Sequence, residues 1–235
     1  MNADATAVVR ELARSPLFAS LGPPGLQRLA GECHVRRFAK QAVIFSRGDP
    51  GRSMLLTVAG SVALSVASAE GTEVVLAVLR PPAVFGELAI IDGGPRVATA
   101  TAREPTVLVT IPRPAVMDLL EREPGFALGL LRIVVRLVRS ADDRAADLVL
   151  LSLQARVEKF LTDAASASQR DDGPRPSGFA VPVDLRMTQT DLARLVGGSR
   201  QQVNRIVLLL EERGAIERSG TRIVAVRPER LMALH

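Results

Sequence analysis

Two segments of this chain carry polar side chains at spacings that suit recognition chemistry. The first reads Phe85-Gly86-Glu87-Leu88-Ala89-Ile90-Ile91-Asp92-Gly93-Gly94-Pro95-Arg96-Val97-Ala98-Thr99. Gly86 lets backbone amides approach an anion, and a short helix after it presents its N-terminus. Arg96 adds a charge-assisted pair for an anionic oxygen, and Glu87 can accept hydrogen bonds from a ribose hydroxyl. Together these suit a sugar phosphate. The alternative is an ordinary loop closed by an internal Glu87–Arg96 salt bridge.

The second segment runs from Thr188 to Arg200 and reads as helix, tight turn, helix start. Thr188 is placed to cap the first helix, with Asp191 three residues on completing an acidic capping box. Gly197-Gly198 supplies the turn, and Ser199 caps a second helix predicted to run to about Arg213. On that helix Val203, Ile206, Val207 and Leu210 share a face that must be core. Arg200, Gln201, Asn204 and Arg205 share the opposite face, and no acid occurs from Gly197 to Leu210. Arginine can bond guanine bidentately, and Asn or Gln can bond adenine, when the helix start faces the major groove. Gly214 ends the helix, and residues 216–224 read as a hairpin wing whose Arg218 and Arg222 can touch phosphate. The alternative is a small helical pair with a solvated polar face. The combination of turn, acid-free face and basic wing favours DNA.

The elements that must position these segments fall into four zones. Residues 1–38 read as helical, with Val8, Val9 and Leu12, then Leu26, Leu29 and Ala30, around a turn at Gly22-Pro23-Pro24-Gly25. Residues 39–112 read as short β-branched strands at 43–45, 54–58, 62–66, 74–78 and 107–111, a spacing that suggests a small all-β sandwich or roll. Residues 114–165 read as helical. Leu131, Val134, Val138, Ala141, Ala145 and Leu148 recur there at heptad spacing. This stripe can pack on its own domain or on a second copy. The polar residues on the other faces, Arg132, Arg136, Arg139, Asp142 and Asp143, favour the second copy. Residues 164–178 are polar with Gly and Pro and read as a loop. The last zone, 179–235, holds a predicted strand at 179–183, the helix pair and the hairpin around Ser219-Gly220.

Composition excludes several classes. Of 235 residues 47% are apolar, so the chain can build a core. Cys33 is the only cysteine and there are two histidines, which excludes a disulfide framework and a cysteine-based metal cluster. Ser, His and Asp form no catalytic triad, and no cofactor is required. The net charge of +5 is compatible with a polyanionic partner. Residues 1–11 hold two acids and no apolar run, and no stretch reads as a membrane span. The expectation is therefore a cytoplasmic protein without membrane association.

The two segments, in this order and with a heptad helix between them, resemble the catabolite-activator (CRP/FNR) family of bacterial transcription regulators. Gly-Glu-Leu-Ala followed by Pro-Arg-x-Ala-Thr is similar to that family's phosphate-binding cassette. The stretch from Val196 to Ile206 is similar to its recognition-helix entry. The resemblance covers about residues 10–230. It implies an α+β chain with a cyclic-nucleotide-binding-type β-roll over 1–125, a dimerisation helix over 126–151 and a winged helix-turn-helix over 152–235. It also implies a homodimer on double-stranded DNA with a near-palindromic operator, and RNA polymerase as a partner.

Carried over residue by residue, the resemblance gives Glu87 the ribose 2′-hydroxyl and Arg96 the cyclic phosphate of a cyclic nucleotide effector, cAMP or cGMP. Val97 stands where the family usually has Ser, Thr or Ala. Ala141-Asp142 stands where cAMP-responsive members have a Thr-Ser pair on the dimer helix. A carboxylate at Asp142 can accept both guanine N1–H and the 2-amino group, which favours guanine over adenine; the alternative is that Asp142 pairs with Arg139 or another surface arginine of the helix. The iron–sulfur cysteines of the oxygen-sensing branch are missing, and the only candidate for haem ligation, Cys33-His34, reads as a structural pair in a helix-to-strand passage. Gln201 replaces a Glu common on the DNA helix. A regulator that needs no ligand, with the pocket kept as scaffold, is the alternative.

Overall fold

The computed structural model describes residues 3–67, 73–172, 180–183, 188–220 and 222–231. The chain divides into two compact units, Met1–Ser140 and Ala141–His235.

The first unit opens with helix α1 (Ala3–Arg14), a 3-10 turn (Pro16–Phe18) and α2 (Pro23–Glu32). Two prolines start α2, where the missing N–H groups have no helical acceptor to lose. Strands β1 (His34–Phe38), β2 (Val43–Phe45), β3 (Ser53–Ala59), β4 (Val62–Ala67), β5 (Glu73–Leu79) and β6 (Val84–Phe85) follow. After them come the short helix α3 (Leu88–Ile91), then β7 (Thr99–Ala102) and β8 (Thr106–Pro112). They form two antiparallel sheets, ordered β1-β8-β3-β6 and β2-β7-β4-β5. The period of two along β3 splits its side chains between two cores. Leu55 joins Ile44, Val62, Phe85, Ala100 and Leu108 in one core, whereas Met54 and Leu56 join the helical residues Leu12, Phe18, Val116 and Phe126 in the other. Buried on both faces, β3 therefore reads as a continuous apolar run.

Helix α4 (Arg113–Arg122) leads into the long helix α5 (Pro124–Leu150). Phe126 and Leu130 anchor the start of α5 in the first unit, with Phe126 stacked on Phe18 at 5.7 Å between ring centroids. The second unit contains α6 (Leu153–Asp172), β9 (Val181–Pro182), α7 (Gln189–Val196), α8 (Arg200–Glu212), β10 (Ile216–Ser219), β11 (Arg222–Val226) and α9 (Pro228–Leu231). Its three strands order β10-β11-β9. Its core gathers Val157 and Leu161 of α6, Leu192 of α7, Val203, Val207 and Leu210 of α8, and Val226 of β11.

Four sequence expectations are corrected. The helical zone ends at Glu32, and His34–Phe38 is a strand paired with β8. Four of its five residues are exposed, so it lacks the alternation that marks a half-buried strand. Strands β6 and β7 were not expected, the first having two residues and the second alternating only Thr with Ala. The predicted loop from Ala164 is helical to Asp172, with Ala165 fully buried, while residues 173–178 lie outside the described residues. The predicted strand at 179–183 is strand at Val181–Pro182, with the Val183 N–H also donating to the Val224 carbonyl at 2.9 Å; Phe179 lies outside the described residues.

Candidate functional site

The first candidate site is built where β6 turns into α3. Gly86 has φ +78°, and a Cβ there would lie 2.5 Å from the Arg96 Nη1 atom. Only glycine combines that conformation with that close approach. Arg96 lies inside the fold, 5% exposed. Its Nη1 donates to the Gly86 carbonyl at 2.7 Å and its Nη2 to the Ser53 carbonyl at 2.6 Å. Its guanidinium carbon sits 4.2 Å from the centroid of the Phe45 ring, a cation–π distance. Its Nε is buried without a hydrogen-bond partner among the described residues. The Arg96 backbone N–H donates to the Asp49 carbonyl, and the Gly48 N–H donates to the Arg96 carbonyl, which stitches the loop at 48–50 to the cassette.

Glu87 sits at the start of α3 and is also only 5% exposed. Burial pushes its carboxyl up from the ordinary value, while its own backbone N–H and the charge of Arg96 pull it back. Burial pulls Arg96 down, and Glu87 and Asp49 hold it up. The alternative of a loop closed by a Glu87–Arg96 salt bridge is not what the fold builds. The guanidinium bonds two carbonyls and an aromatic face, and Glu87 acts on it through space. Leu88 is half-buried beside Glu87, and Val97 is exposed. A cleft of about 260 Å³ borders Arg96, lined also by Arg36, Phe45, Asp49 and Arg52. Asp142 is an exposed residue of α5 in the second unit.

The second candidate site is the α7–α8 pair. Thr188 Oγ1 accepts from the Asp191 N–H at 3.2 Å, and Asp191 Oδ2 accepts from the Thr188 N–H at 2.8 Å. Gly197 closes α7 in the left-handed conformation, φ +69°. A second capping box starts α8: Ser199 Oγ accepts from the Gln202 N–H, and Gln202 Oε1 accepts from the Ser199 N–H, both at 3.2 Å. Val203, Val207 and Leu210 are buried and Ile206 is half-buried. Arg200, Gln201 and Arg205 are exposed and Asn204 is half-buried, so the four polar residues face outward as one surface. On the wing Arg222 is exposed, whereas Arg218 pairs with Glu211 of α8 and its side chain is only 17% exposed. On α5 the heptad residues Leu131, Val138 and Leu148 are each more than half exposed, Ala141 and Ala145 are exposed and Val134 is half-buried.

Sequence reasoning missed Gln202, although Ser-x-x-Gln is a readable capping box. It also missed Phe45, Ser53 and Glu211, which reach Arg96 and Arg218 only through the tertiary fold. Burial, then the charge of Glu32, pushes the Cys33 thiol up to about 12, which disfavours the thiolate a metal would need.

Comparison with known proteins covers both sites. The cyclic nucleotide-binding domain family matches residues 35–123, and the Crp-like helix-turn-helix domain family matches residues 150–234. The chain is 30% identical over 220 residues to a CRP-like cAMP-activated global transcriptional regulator of Mycobacterium tuberculosis, covering 94% of this chain and 96% of that one. It is 31% identical over 218 residues to a Cyclic AMP receptor protein of Thermus thermophilus, covering 93% and 95%. Among solved structures, FixK2 from Bradyrhizobium japonicum has the same fold, with TM-score 0.72 at 22% identity over 86% of this chain and 96% of that one.

The buried Glu87 generates a pH prediction. Its folded-state pKa is raised above 4.5, so the folded chain holds its proton to higher pH than the unfolded chain. The stability Glu87 contributes is therefore present below that value and lost as pH rises through the raised pKa. Glu87→Gln should be more stable than the parent in thermal unfolding at pH 7.5, with the advantage shrinking towards pH 4. A parent as stable as the variant at pH 7.5 would contradict this.

Proposed function

Because this chain belongs to the catabolite-activator (CRP/FNR) family of DNA-binding transcription regulators, we propose that it acts as a homodimer whose hold on DNA is set by a cyclic nucleotide bound at the 86–97 cassette. The observation that carries this reading is the burial of opposite charges, Glu87 and Arg96, in one apolar roll. Ionised groups are rarely kept inside a fold at a cost to its stability unless a ligand uses them. Glu87 would accept from the ribose 2′-hydroxyl. Arg96 and the backbone N–H groups of the cassette, including that of Val97, would hold the phosphate. Asp142 of α5 suits a guanine base, whose two adjacent donors a carboxylate can accept together.

The DNA-reading surface is the outward face of α8. Arg200, Gln201, Asn204 and Arg205 reach base edges or phosphate, and Ser199 holds the helix start with its cap. Arg222 serves phosphate from the wing. Arg218 reaches phosphate only by leaving Glu211, and its present bond joins the wing to α8. The exposed stripe Leu131, Val134, Val138, Ala141, Ala145 and Leu148 is the surface for a second copy. Two-fold symmetry then matches a near-palindromic operator, with RNA polymerase as the downstream partner. A second reading, in which the cassette is scaffold, is favoured by one feature: both terminal nitrogens of Arg96 already bond carbonyls.

Calorimetric titration of the full chain with cyclic AMP and cyclic GMP separates the two readings. Binding of either supports the first, with cyclic GMP expected to bind more tightly, and no heat from either supports the scaffold. Arg200→Ala should weaken binding to a selected palindromic duplex by ~1–3 kcal/mol without unfolding the chain. Equal affinity at matched salt would remove Arg200 from the interface. Val138→Asp would place two charges in the stripe at a cost of several kcal/mol. Sedimentation should then find monomers, and an undisturbed dimer would place the interface elsewhere.

A further inference from the structure

One side chain ties the α5–α6 joint to the turn that opens the recognition helix. Arg156, near the start of α6, donates from Nη1 to the Leu151 carbonyl at 2.9 Å and from Nε to the Val196 carbonyl at 2.8 Å. Its Nη2 reaches the Gly197 carbonyl at 3.5 Å. Leu151 lies in the joint between α5 and α6. Val196 and Gly197 end α7, two residues before the Ser199 cap of α8. A cation at that position also meets the negative pole of α7.

The same contact is packed as well as bonded. A Cβ on Gly197 would lie 3.2 Å from Leu148 Cδ2, near the end of α5, and a Cβ on Gly198 would lie 2.7 Å from Leu153 Cδ1, at the start of α6. The joint is also braced by Lys159, whose Nζ bonds both carboxylate oxygens of Asp147 at 2.7 and 2.6 Å. The turn before α8 is thereby held against the end of α5.

We infer that Arg156 is a positioning residue for DNA recognition: by gathering the carbonyls of Leu151, Val196 and Gly197 into one guanidinium fork, it sets the direction of α8 relative to the end of α5. The inference rests on the homodimer reading above. If the stripe on α5 joins two copies, the direction of α8 relative to α5 fixes the spacing and tilt of the two recognition helices. A guanidinium suits the task because its donors are rigidly coplanar. An ammonium offers one mobile point and cannot hold three carbonyls on two segments in a fixed plane.

The test uses the full chain. The parent first enriches duplexes from a random-sequence library. The enriched palindrome, and the same palindrome with one base pair inserted at its centre, are then titrated with the parent, Arg156→Gln and Arg156→Lys. The parent should reject the lengthened site. Both variants should bind the palindrome about tenfold more weakly than the parent. They should also discriminate less between the two spacings and keep the parent's dependence on salt, since no phosphate contact is lost. Thermal unfolding reports the fold, and if Arg156→Gln does not fold, Arg156→Lys carries the test with the charge retained. Folded variants with parental affinity and spacing preference would overturn the inference. So would a salt slope reduced by about one, which marks a phosphate contact, or full recovery with lysine, which would mean that charge alone suffices. A parent that enriches no two-fold sequence overturns the homodimer reading, and this inference with it.

Discussion

A guanidinium inside an apolar β-roll must be satisfied by the protein around it, and the architecture of the first unit follows from how Arg96 is satisfied. Gly86 gives up its side chain so that Nη1 can reach its carbonyl. Ser53, at the start of a strand far away in sequence, turns its carbonyl to Nη2, and Phe45 lays its ring beneath the charge. The loop at 48–50 is pinned to the Arg96 backbone. One residue thus fixes the relative placement of three loops and two sheets. Among the described residues its Nε finds no hydrogen-bond partner.

The helix pair of the second unit is organised by polar interactions that are short in sequence range. Two capping boxes and one left-handed glycine set where α7 ends and α8 begins. Val203, Val207 and Leu210 then fix the rotation of α8 about its own axis by facing the core. That rotation alone turns Arg200, Gln201 and Arg205 outward. Glu211 and Arg218 join α8 to the wing, and Arg156 joins the entry turn to the α5–α6 joint. Helix α8 is therefore held at its start and again near its end.

Legibility in the sequence follows the range of the interactions. Caps, the glycine turn and the polarity of α8 depend on residues within four positions of one another, so they were readable. The cassette was readable as a pattern, but not the state of Arg96, because Phe45 and Ser53 are 51 and 43 positions away in the chain. Strand β1 escaped because an exposed edge carrying Arg36 and Arg37 has no apolar alternation to read. The end of α6 escaped because small and polar residues after Ala164 resemble a loop, although Ala165 is fully buried in the core of the second unit. Arg156 carried no signal at all, since its acceptors are backbone carbonyls, which every residue has.

If a cyclic nucleotide in the cassette sets the hold of α8 on DNA, the two occupancies are energetically linked, and linkage is reciprocal. The most direct measurement is the affinity of the full chain for its selected palindrome with and without saturating cyclic nucleotide, together with the nucleotide affinity with and without the duplex. The account predicts that both affinities change by the same factor, of roughly 5- to 150-fold. A nucleotide that binds yet leaves DNA affinity unchanged would contradict it.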